Sequence, residues 1–183
     1  MKKQNGSHAL LAMAVLVMVV LACSVGDETD QANKLVDEGN AAVGEAKKYV
    51  GEAEVLRQKM LHTDVAQLAE ARTIAKETIA AYDKAEQKCK EASKKYEEAS
   101  KLKIKDKFKE YLSLKQKEFE KRAELVETAK GTPQALIDSE SRASFVSRAN
   151  ANNEKVDKLT KEADDLGAQA EKLQKDNADI FKK

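Results

Sequence analysis

Residues 64–102 read DVAQLAEARTIAKETIAAYDKAEQKCKEASKKYEEASKL, and their apolar and small positions recur by three and four. The stripe is Leu68, Ala71, Ala75, Thr78, Tyr82, Ala85, Cys89, Ala92, Tyr96 and Ala99. That alternation is one face of an α-helix, and sustained over several heptads it marks a helix packed along another helix. Lys and Glu fill the positions between, as on a solvated face. Asp64 is placed to cap this second helix, with Gln67 three residues on as a variant of the capping box.

The pattern continues outward on both sides. Upstream, a first helix is expected over about 30–61, with a stripe at Ala32, Leu35, Gly39, Ala42, Ala46, Tyr49, Ala53, Leu56 and Met60. Gly39, Gly44 and Gly51 each cost a helix about 1 kcal/mol relative to Ala, so packing must hold this one together, and small residues let a neighbour come close. His62-Thr63-Asp64 reads as the turn into the second helix, about 64–102.

Downstream, Lys101, Lys103, Lys105, Lys107 and Lys109 alternate with Leu102, Ile104 and Phe108. Alternation by two suggests a strand, but no partner strand is available, so the segment reads as a turn into a third helix over about 106–130. One continuous rod is the alternative. The third stripe (Phe108, Tyr111, Leu112, Phe119, Ala123, Val126) is interrupted by Lys115 and Arg122. Gly131-Thr132-Pro133 is punctuation: Gly ends a helix, Thr caps, and Pro takes the first position of the next. A short helical piece at 134–138 and a serine-rich joint at Ser139 and Ser141 lead to a last helix over about 140–180. Its stripe is Leu159, Ala163, Leu166, Ala170, Leu173, Asn177 and Ile180, and Asn150, Asn152 and Asn153 invite a kink. Short turns make successive helices antiparallel. The fold expected is all-α: an elongated up-down-up-down four-helix bundle of coiled-coil type.

Composition agrees. Charged residues make up 36% of the chain and aromatic ones 4%, with a single proline, which favours long helices over other classes. There are 33 Lys plus Arg against 32 Asp plus Glu. A chain so evenly balanced has no overall field to attract nucleic acid.

Catalytic and metal motifs are missing. The Glu-x-x-His pairs of bundle metal sites do not occur, and neither does a Gly-x-Ser-x-Gly elbow or a glycine-rich phosphate loop. His62 falls in a turn without supporting ligands. No enzyme activity, cofactor or metal is therefore expected. Cys89 lies in the second stripe as a small buried hydrophobe, the alternative being a thiol used between molecules.

The first two dozen residues carry a different signal. Lys2 and Lys3 precede an apolar run from Ala9 to Leu21, which ends at Val20-Leu21-Ala22-Cys23. The run falls short of the ~20 residues of a spanning helix, and Cys is an unusual residue at an ordinary cleavage site. Basic start, apolar run and terminal cysteine resemble the signal peptide and lipobox of bacterial lipoproteins. That resemblance implies cleavage of residues 1–22, lipid (including palmitate-type acyl chains) on Cys23, and a lipidated tether over 23–29. The helical body, 30–183, would then be held to a membrane of the cell envelope, outside the cytoplasm. Ser24, where Asp would signal inner-membrane retention, implies the outer membrane if the source has two.

The expectation is a lipid-anchored structural or protein-interaction module with an envelope protein as partner, and with room for a homo-oligomer. The alternative is a solute-binding lipoprotein with a pocket between helices. Antiparallel order would bring the turn at Lys101 to Lys109, with Lys182 and Lys183, to the membrane end, where basic residues meet anionic headgroups.

Overall fold

A computed structural model describes residues 28–181. The lipobox, Cys23, Ser24, Lys182 and Lys183 lie outside the described residues. Helix α1 spans Thr29–His62, α2 Leu68–Ser100, α3 Asp106–Ala129, α4 Gly131–Asp138 and α5 Arg142–Asp176, with one 3-10 turn at Val65–Gln67. Among the described residues there is no strand. The molecule is the all-α bundle that the stripes predict, in which α2 and α3 are two helices and not one rod.

Ion pairs fix the direction of packing. Glu38 meets Lys95 at 2.6 Å and Glu45 meets Lys88 at 2.7 Å, so each heptad up α1 is matched by a heptad down α2. Glu118 of α3 lies against Gly167 of α5, and Gly131, just past the end of α3, lies against Asn152, which makes α3 and α5 antiparallel too. α2 packs on α1 and on α3, α5 lies against α3, and α4 bridges α2 and α5. α5 buries a narrow stripe of Ala149, Leu159, Thr160, Ala163 and Ala170, so it rests on the side of a core built by α1, α2 and α3.

That core follows the sequence stripe closely. From Ala71 to Ala99 every stripe position of α2 is buried, with Tyr82, Ala85, Cys89, Ala92, Tyr96 and Ala99 at 1% exposure or less. Fully burying each such apolar side chain contributes about 1–3 kcal/mol. Alanines let the helices approach, and Tyr96 and Phe119, with ring centroids 5.7 Å apart, fill the space that remains between α2 and α3.

Four expectations are corrected. Gly39 lies under the Tyr96 ring, where an added Cβ would come within 3.2 Å of Cε1 and Cζ, but Gly44 and Gly51 face open space, so close approach explains only the first. Asp64 caps the 3-10 turn by accepting the Ala66 N–H at 2.9 Å, and Gln67 makes no return bond, so α2 proper starts at Leu68. Gly131 does not terminate a helix: Lys130 joins α3 to α4 in ordinary helical geometry. The place for Gly131 is set by Asn152 of α5, whose side chain a Cβ there would strike. Finally, the asparagines leave α5 unbroken, since Asn152 donates to Thr132 Oγ1 at 3.1 Å and Thr132 in turn donates to Asn153 Oδ1 at 3.4 Å.

Candidate functional site

Three places bear on function: the two ends of the bundle and a charged cluster between helices. The end where α1 begins also holds the basic turn. The Glu28 N–H donates to the Lys103 carbonyl at 3.0 Å, and the Lys103 N–H donates to the Glu28 carboxylate at 2.7 Å. The alternation by two now has a physical account. Ile104 and Phe108 point into the base of the core, while Lys101, Lys103, Lys105 and Lys107 are exposed and Lys109 is half-buried. Lys101 pairs with Glu97 at 2.5 Å and Lys107 with Glu110 at 2.7 Å, so part of the positive field is spent locally. Phe181, given no role by the sequence pattern, closes this end: its ring centroid is 5.6 Å from Phe108 and 5.1 Å from Tyr111.

The interruptions in the α3 stripe form the charged cluster. Glu118 is buried at 4% exposure and receives Lys115 at 2.6 Å and Arg122 at 2.8 Å. Gly167 of α5 leaves the room for it, since a Cβ there would lie 3.2 Å from the Glu118 carboxyl. Burial, then the nearby Arg122 and Lys115, push the Lys47 ammonium of α1 below the ordinary lysine value. Taking such charges out of water offsets much of their mutual attraction. The i, i+3 and i, i+4 spacings of Lys115, Glu118 and Arg122 were the signal in the sequence.

The opposite end, about 50 Å away along α1 at 1.5 Å per residue, carries a cavity of about 590 Å³. It opens among the α1–α2 turn, the start of α2, and the α4–α5 joint. Met60, Leu68, Leu136 and Phe145 line it, together with Ser139, Ser141 and Arg142. Leu68 is the one stripe residue of α2 left exposed, at 41%, and Leu61 and Val146 beside it are 43% and 44% exposed. Most of the large exposed hydrophobics of the described chain therefore gather at one spot; Val55 is the fourth.

Cys89 is a free, fully buried thiol, and burial pushes its pKa up to about 12. His62 is exposed, its Nδ1 2.7 Å from the Gln58 carbonyl of its own helix. Among the described residues there is no group of three or more His, Cys, Asp or Glu able to hold a metal ion, and no helix long and apolar enough to cross a membrane. No protein-family model, curated protein or solved structure matches this chain.

Proposed function

We propose that this chain is a bacterial-type lipoprotein: lipid on Cys23 holds it to the cell envelope, and the bundle stands as a rigid post presenting its far end to a protein partner. The observation that carries this reading is the order Lys2, Lys3, apolar Ala9 to Leu21, then Val20-Leu21-Ala22-Cys23. Two or three acyl chains hold a protein stably at a bilayer where one does not. The body supports the reading in that α1 starts at Thr29, six residues after Cys23, which leaves little slack between anchor and post. On this reading Ser24 directs the protein to an outer membrane where one exists, and the module is structural rather than enzymatic. Acyl labelling tests it: the wild-type chain should take up labelled fatty acid and fractionate with membranes, and Cys23→Ala should take up no label and remain an uncut precursor, or become soluble if another protease acts. Labelling that persists in Cys23→Ala would overturn it.

The second reading, a solute-binding lipoprotein, is favoured by one observation, the cavity at Leu68 and Phe145. Its volume lies in the range of small-molecule sites.

A further inference from the structure

We propose that the cavity at the far end of the bundle binds an amphiphile with one long apolar body and a single carboxylate, of the fatty-acid type. The inference is independent of the anchor at Cys23, because none of the residues it uses depends on lipid.

The apolar half of the site is visible in what the helices fail to bury. Met60, Leu68, Leu136 and Phe145 line one space of about 590 Å³, and Leu61, Leu68 and Val146 stay exposed around it while the rest of the α2 stripe is covered. Clustered exposed apolar side chains on a polar surface mark a binding site more often than chance.

The polar half is made of donors. The Ser139 hydroxyl is buried, with the residue 8% exposed, and has no partner among the described residues. Behind the wall, Arg72 Nη2 donates to the Ser139 carbonyl at 3.2 Å and holds the joint in place. Buried polar atoms are ordinarily paired, so the unpartnered Ser139 hydroxyl on the cavity wall asks for a ligand acceptor. Arg142 lines the same wall, at the N-terminus of the 35-residue α5, where the helix dipole favours negative charge. Ser141 there already accepts the Ser144 N–H.

Two acids limit the charge of the head. Asp64 and Glu140 also border the cavity, and although Asp64 is engaged by the Ala66 N–H at 2.9 Å, both repel a multiply charged group. A monocarboxylate directed at Ser139 and Arg142 satisfies the donors with the least repulsion. A phosphate monoester does not.

The test uses the full chain in solution and two photoreactive probes of equal length: a diazirine long-chain carboxylic acid and the matching alcohol. Adducts are mapped by mass spectrometry. The acid should label peptides within 60–71 and 136–146, about tenfold more than the alcohol, as expected for one charge-assisted hydrogen bond. Arg142→Gln, at an exposed position, should reduce acid labelling to the alcohol level. Equal labelling by both probes, adducts elsewhere, or an Arg142→Gln chain that still prefers the acid would each overturn the proposal.

Discussion

Glu28 and Lys103, 75 residues apart, are joined by two reciprocal hydrogen bonds of 3.0 and 2.7 Å. One uses the Glu28 backbone and the other its carboxylate, so the start of α1 and the turn between α2 and α3 form a single edge of the molecule. The residue five positions after Cys23 thus sits against the densest run of lysines in the chain.

If the anchor lies where proposed, these lysines face headgroups. The unlipidated body, residues 24–183, should bind anionic vesicles weakly and lose that binding as salt rises, since each juxtamembrane basic residue is worth up to ~1 kcal/mol. Changing Lys101, Lys103, Lys105, Lys107 and Lys109 to Gln should abolish it. Binding that ignores salt or survives the five changes would dissociate the turn from the membrane.

The glycines of α1 separate by what lies over them. Gly44→Ala and Gly51→Ala, facing open space, should each raise stability in urea unfolding by about 0.5–1 kcal/mol through helix propensity. Gly39→Ala should lower it. Its Cβ would press on a Tyr96 ring that is 1% exposed and tied through its hydroxyl to Asn40 Oδ1 at 2.7 Å. A stabilising Gly39→Ala would show that Tyr96 has room to move.

Cys89 should react with a thiol reagent at least about a hundredfold more slowly in the folded chain than in denaturant, because access requires opening of the core and the thiolate is scarce. Its pKa, raised to about 12 by burial, points the same way. Comparable rates in both states would contradict its place in the core.

Stability should fall in acid in a way that Lys130 governs. Lys130 of the α3–α4 junction pairs with Asp83 and Glu86 of α2, both at 2.7 Å, and with Glu127. Burial alone would raise the Glu86 carboxyl, but the hydrogen bonds from Lys130 and Lys90 prevail and hold it at about 2. A carboxyl depressed on folding stabilises the folded state above its ordinary value near 4.5, and that contribution is lost as pH falls toward 2. Urea midpoints measured between pH 5 and 2.5 should therefore fall more steeply for wild type than for Lys130→Met. At pH 7 the variant should be less stable by on the order of 1 kcal/mol. Parallel slopes would remove Glu86 from the acid response.

The helices were legible because a three-and-four spacing reports directly which face of a helix turns inward. From Ala71 to Ala99 the α2 stripe and the buried face coincide. What that spacing does not report is which helix the face will meet. Lys115 and Arg122 looked like flaws in the α3 stripe, yet both pair with Glu118, which is buried because Gly167, some fifty residues later, makes room. Gly131 carried the residue type of a terminator, but Asn152 of α5 sets its environment. Phe181 was invisible for a similar reason: it closes the core from beyond the last regular turn. The far cavity was illegible because α1, α2, α4 and α5 each supply only part of its wall.

Whether Cys23 becomes the lipid-bearing first residue of the mature protein is read from the mass of the N-terminal peptide of the membrane-extracted chain. The peptide should begin at Cys23, carry a diacylglyceryl thioether, and keep Ser24 as its second residue. A mature chain that begins at any other residue, or one that begins at an unmodified Cys23, would contradict it.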